Sequence, residues 1–426
     1  MAGRRAVRWA RRGPRRVRRA CLAAGAALLL PATLVSCGGA VTATDADAGV
    51  QRMLDVRARA VRDHDEQAFL AGVDPGAASF RAAQRRTFEH LAAVPLADWQ
   101  YRLTDTDAFP LPAGRGERIA ARVELRYRVR GYDAAPVVAV QYLTLARRDG
   151  DWRVLSDTDG EDSGKVSMRQ LWDDGPVSLV RGRRSLVIGA RGEDGRLREL
   201  ARRTDGAVPA VADAWPGRWS RRVVVEAPPT VARMAELLGS DQPAGYTGIA
   251  AVTTGEAGGS AQAPADRVIV NPDAYAQLTD AGRAVVLTHE TTHVATRART
   301  TASTPLWLSE GFADWVAYRR TKNAPHTAAP ELTAAAAAHR LPGKLPTNDD
   351  FGFTRKPDDL ARAYEGSWLA CRMVADEWGE RKLTGLYEAA GRDSDLDAVL
   401  RDRLHVSTAD FTRRWRAYLA KVLNSS

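Results

Sequence analysis

His289-Glu290-Thr291-Thr292-His293 constrains this 426-residue chain more than any other stretch. Two histidines four residues apart share a face only on an α-helix, so the segment must be helical if both rings are to act together. The run Ala284-Val285-Val286-Leu287-Thr288 leads into it and supplies apolar residues that can bury such a helix. Glu290 is rotated by about 100° from His289, which sets its carboxylate beside the point where the rings converge. Glu310 follows seventeen residues after His293, within Trp307-Leu308-Ser309-Glu310-Gly311-Phe312-Ala313-Asp314.

Imidazole and carboxylate are zinc donors, and a catalytic zinc keeps one position for water beside three protein ligands. His289, His293 and Glu310 are therefore candidate ligands of one zinc ion, with Glu290 as candidate general base. Zinc at such a site lowers the pKa of water and polarises a carbonyl, which is the chemistry of peptide-bond hydrolysis.

These motifs resemble the gluzincin metallopeptidases, in particular the aminopeptidase N-like group and the peptidase MA-like domains, over roughly Gly245 to Gly391. The resemblance implies more than the spacing does. Ala363-Tyr364-Glu365-Gly366-Ser367 is similar to the family segment whose tyrosine donates to the oxyanion, which makes Tyr364 the second catalytic candidate. Asp314, four residues after Glu310, stands where thermolysin-like enzymes carry a carboxylate that orients a zinc-bound histidine; a surface role on the helix is the alternative. The aminopeptidases also carry a glutamate on an edge strand that binds the free amino terminus of the substrate. The matching place is Gly248-Ile249-Ala250-Ala251-Val252, which has no glutamate. An endopeptidase is expected over an aminopeptidase, with the edge strand still able to bind an extended peptide by strand addition.

The formal charge of +10 points first to nucleic acid or membrane. Nine arginines and no acid lie in the first 36 residues, and without them 53 Lys+Arg face 52 Asp+Glu. The basic character belongs to that segment, so no nucleic-acid partner is expected. Met1 to Ser36 has the layout of a secretory signal, an arginine-rich start followed by the uncharged run Ala20 to Val35. Leu34-Val35-Ser36-Cys37 resembles the lipobox of bacterial lipoproteins, which implies cleavage before Cys37 and a lipid anchor on it, with the chain on the outer face of the cell membrane. An uncleaved membrane helix is the alternative, against which stand the short apolar run and Pro31. Cys371 would then be the only cysteine without a lipid, and its apolar neighbours mark it as a buried helix residue.

The expected fold class is α+β in two parts. After a tether over 37–48, the stretch 49–160 changes from helical spacing to alternation, as in Ala121-Arg-Val-Glu-Leu-Arg-Tyr-Arg-Val129, with Asp149-Gly150 as a hairpin turn. That order resembles the nuclear-transport-factor-2-like (SnoaL-like) cone fold. A linker is expected over 161–184. Residues 185–426 are expected to form a thermolysin-like zincin domain, a small mixed sheet plus a mostly helical C-terminal part, with the motif helix capped at Asp280. The function that follows is a zinc peptidase acting on peptides or proteins. A cell-surface binding protein that keeps the fold without catalysis is the competing class.

Overall fold

The computed structural model describes residues 43–240, 242–254, 266–321, 324–352 and 356–424. The signal-like segment, Cys37 and the first part of the expected tether lie outside the described residues. The chain from Ala43 onward is mixed α+β, with one antiparallel sheet, one mixed sheet and a helical C-terminal part.

Helix α1 (Ala43–Asp63) starts inside the stretch expected as a tether. Its alanines favour helix, and Asp45 in the first turn meets the positive end of the helix dipole. Helices α2 (Glu66–Ala71) and α3 (Ala78–Leu91) follow, then strands β1 (Leu96–Asp105), β2 (Arg118–Val129), β3 (Val137–Arg148) and β4 (Asp151–Ser156). The four strands form an antiparallel meander in chain order. In β2, Val123, Leu125, Tyr127 and Val129 are buried while Arg122, Glu124, Arg126 and Arg128 alternate with them. Asp149 and Gly150 both take positive φ, 53° and 90°, as a two-residue hairpin requires.

The segment expected as a linker is built into both layers. Helix α4 (Leu171–Asp174) carries the buried Trp172 against Trp99 and Tyr127. Strand β5 (Val177–Arg181) pairs antiparallel with β6 (Ser185–Ala190), so the second sheet starts eight residues earlier than expected. The partner that makes 177–181 a strand follows it in the chain, and its own residues show only a short alternation. The second sheet runs β5-β6-β7-β9-β8, with β7 (Val223–Ala227), β8 (Ala251–Thr253) and β9 (Val268–Val270). β6, β7 and β9 are parallel, and β8 lies antiparallel at the edge.

Strand pleating divides this sheet between two cores. Leu186, Ile188, Val224, Val252 and Ile269 join the core of the first layer, with Leu54, Leu125 and Trp172. Val187, Val223, Val225, Ala251, Val268 and Val270 face the other way, onto Leu197, Leu200 and Val208 of α5 (Asp194–Ala214) and Leu287 of α8 (Asp280–Thr296). Between β7 and α8 lie α6 (Val231–Leu237) and α7 (Pro272–Gln277). A buried ion pair links the two layers. Arg267, beside β9, meets Asp133, just after β2, with both nitrogens, at 2.8 and 2.7 Å, and both side chains are about as buried as side chains become, at 2% and 3% exposure.

The C-terminal part is helical: α9 (Leu306–Tyr318), α10 (Pro325–Ala328), α11 (Pro330–Ala337), α12 (Pro357–Trp378), α13 (Glu380–Ala390), α14 (Leu396–Leu404) and α15 (Thr408–Leu423). Their shared core holds Phe312, Leu369, Cys371, Tyr387, Phe411 and Trp415. Cys371 is buried and burial pushes its thiol up, as the expectation of an inert packing residue has it. Helices α9 and α12 cross at Gly311. A β-carbon there would lie 2.2 Å from the carbonyl oxygen of Ser367, so the crossing distance depends on the missing side chain. Gly311→Ala must push α12 away, and overpacking of this kind costs about 1–3 kcal/mol. Thermal denaturation of the purified variant checks it; an unchanged Tm would show that the crossing yields freely.

Candidate metal centre and active site

Helix α8 begins at Asp280 as expected, but its cap is Thr279, whose hydroxyl oxygen accepts the Gly282 N–H at 3.1 Å. Asp280 is the first helical residue and pairs with Arg203 at 2.7 Å. The one-place difference follows from reach: the cap oxygen must meet the N–H three residues on. The apolar side of α8 lies on α5 and the second sheet through Leu287. This leaves His289 and His293, one turn apart, facing α9.

Helix α9 brings Glu310 to them. Oε2 of Glu310 lies 3.3 Å from Nε2 of His289 and 3.5 Å from Nε2 of His293, and the two Nε2 atoms are 3.0 Å apart. In a tetrahedral zinc site with bonds of about 2.0–2.2 Å, neighbouring donors sit about 3.4 Å apart. Two of the three separations match that spacing, and the third needs a shift of a few tenths of an ångström. Three atoms rich in lone pairs converge on one point, which is a donor set for a cation. These residues fit zinc.

Asp314 lies behind the ring of His289, with its Oδ1 2.8 Å from Nδ1. A proton on Nδ1 donated to that carboxylate leaves Nε2 with a free lone pair toward the other donors. Burial works against charge on His289, yet the Asp314 carboxylate raises its basicity well above that of ordinary imidazole. Burial also works to raise the carboxyl of Glu310, but His293 and His289 hold it well below the usual carboxylate range. Tyr364 of α12 has its ring centroid 6.4 Å from that of His289 and 5.3 Å from that of Phe351. Its helix is fixed from two directions. Glu365 accepts the N–H groups of Glu331 and Leu332 at the start of α11, and Trp415 of α15 donates to the carbonyl of Gly366 at 3.0 Å. His289, His293, Glu310 and Asp314 are thus brought into one place with the Tyr364 ring nearby, and Glu290 follows His289 on α8.

Two features escaped sequence reasoning. Thr253, in the edge strand β8, donates its hydroxyl to Oε2 of Glu290 at 2.6 Å. Beneath the helices, the Tyr387 hydroxyl lies 2.7 Å from Thr300, 3.3 Å from Thr296 and 3.4 Å from Ser309, tying α8, α9 and α13 together. Hydroxyl residues on a strand or a helix carry no pattern that would have flagged either. The expected edge strand is real but shorter: Ala251–Thr253 is paired with β9, and Pro243–Tyr246 before it is a single 3-10 turn.

No protein-family model and no curated protein matches the chain. Among solved structures it is similar to a two-domain M1 zinc metallopeptidase mutant bound to L-tryptophan, at 15% identity and TM-score 0.33, over 65% of this chain and 58% of that one. The same figures with TM-score 0.32 hold for such a mutant bound to L-arginine. A third is an M1 zinc metallopeptidase mutant from Deinococcus radiodurans bound to a Tyr-Ser-Ala substrate, at 14% identity and TM-score 0.31, over 68% and 62%. The chain thus spans about three-fifths of the length of these structures. Superpositions that partial leave the functional reading to the geometry of the site.

Proposed function

We propose that the chain is a zinc-dependent peptide-bond hydrolase. The observation that carries the reading is the convergence of His289, His293 and Glu310 on one point, with Asp314 behind the first histidine and Glu290 next to it on α8. His289, His293 and Glu310 would hold the ion, which supplies water activation and carbonyl polarisation when bound. Asp314 keeps His289 in the tautomer that ligation needs. Glu290 takes the proton of the attacking water and passes it to the leaving amine. The Tyr364 hydroxyl donates to the carbonyl oxygen as it gains charge. A peptide laid along the outer side of β8, the last strand of its sheet among the described residues, would present its backbone beside these groups. The absence of a glutamate in Gly248–Val252 favours internal bonds over amino-terminal ones.

The test is digestion of a peptide library by the soluble chain starting after Cys37, with and without a chelator, alongside Tyr364→Phe. Cleavage should vanish with the chelator and return with zinc, at about one ion per chain. Tyr364→Phe should keep its zinc and lose about 10²–10³-fold in kcat. Bound zinc with no cleavage of any peptide would favour the binding-protein reading instead. Anchoring to the outer face of the cell membrane through Cys37 belongs to the same proposal, and Cys37→Ser should move the protein from the membrane fraction to the soluble one. Equal partition of the two proteins would refute the anchor.

A further inference from the structure

The proposed general base has a buried partner that the chemistry so far has not used. Thr253 is fully buried and sits on the last residue of the edge strand, opposite Val268. Pleating places it on the same face as Ala251, which packs in the core that also holds Leu287 of α8. Its hydroxyl has one proton and two acceptors within reach: Oε2 of Glu290 at 2.6 Å and the backbone carbonyl of the same residue at 3.2 Å. The shorter contact is to a carboxylate and has the length of a charge-assisted O–H···O⁻ bond, so the proton belongs there.

The strand that carries this hydroxyl is itself clamped. The N–H of Thr254 donates to the carbonyl of Arg267, and the N–H of Arg267 returns to the hydroxyl of Thr254, both at 2.9 Å. Arg267 is the residue gripped by Asp133 of the first layer. A glutamate side chain on a helix turns about three torsions, and freezing them costs conformational entropy. A fixed donor on one oxygen settles part of that cost before substrate arrives.

We infer that Thr253 is a positioning residue, which aims the carboxylate of Glu290 at the water-derived proton from a strand anchored in the first layer. The inference rests on the peptidase reading, and the Thr253 hydroxyl acts through Glu290.

The experiment takes wild type, Thr253→Val, Thr253→Ser, Glu290→Gln and the Thr253→Val/Glu290→Gln double variant, each loaded with zinc, on a peptide drawn from the library digestion. Valine keeps the branched shape and removes the donor. Thr253→Val should lower kcat about 10-fold with KM and zinc content unchanged, which is what loss of one such bond in the transition state gives. Thr253→Ser should recover most of it. In the Glu290→Gln background the valine should have no further effect on kcat. Metal-free samples of Thr253→Val, Glu290→Ala and their double variant read the contact without turnover: alanine removes the acceptor that glutamine keeps, so the two Tm shifts should be non-additive. Wild-type kcat in Thr253→Val, or the same fall in both backgrounds, overturns the inference and leaves the peptidase reading standing. A wild-type protein that binds zinc and cleaves nothing overturns both.

Discussion

Glu290→Gln should lower kcat for peptide hydrolysis by about 10²–10⁴-fold, the range a positioned general base contributes. Glutamine matches glutamate in shape and still offers an oxygen to the Thr253 hydroxyl, so the helix and its partners stay in place. His289, His293 and Glu310 are untouched, and bound zinc should remain at the wild-type level. What changes is one property: the amide cannot take a proton from water at neutral pH. Zinc content by elemental analysis and kcat on a library-derived peptide check the two halves together. A variant within threefold of wild type would remove Glu290 from the reaction. A variant that lost its zinc would make the residue structural.

The second large effect concerns stability. Asp133→Ala should cost about 3–5 kcal/mol, because it leaves the guanidinium of Arg267 buried with its main counter-charge gone. The carboxylate of Asp133 also accepts the N–H of Val129 at 2.6 Å, so its removal strands a backbone donor as well. Glu226 lies 3.6 Å from Nε of Arg267 and is too distant to replace the paired contact. Glu66→Ala is the control. It breaks an ion pair with Arg85 whose side chains are 42% and 48% exposed, and it should cost less than about 1 kcal/mol. Urea denaturation of both variants beside wild type makes the comparison. Similar losses in the two would mean that the Asp133 pair contributes no more than a surface bridge.

What could be read in the sequence was local. The alternation of Val123, Leu125, Tyr127 and Val129, the turn at Asp149-Gly150 and the two-histidine helix all announce themselves within a dozen residues, because helix and strand periods are short. Ser407 is a further local feature: it caps α15 by accepting the Asp410 N–H at 3.1 Å. Glu310 follows from the donor set that a zinc site needs and Tyr364 from motif resemblance; Glu310 Oε2 lies 3.3 Å from His289 Nε2, and the Tyr364 and His289 ring centroids are 6.4 Å apart. What escaped notice was pairing at a distance. Thr253 meets Glu290 across 37 residues and Asp133 meets Arg267 across 134. Neither has a local signature, since a threonine in a strand reads as an ordinary β-branched residue and an arginine after a loop as a solvated one. The segment 161–184 reads as a linker for the same reason: β5 has meaning only once β6 lies beside it.

The second sheet gives one set of side chains to the first layer and the alternate set to α5 and α8. Val224 and Val225 are neighbours in the chain and belong to different cores. Heat or denaturant cannot loosen one core without stripping a face of the strands that hold up the other. The two cores should therefore melt together, so that the helix carrying His289 and His293 shares its cooperativity with residues more than a hundred positions upstream.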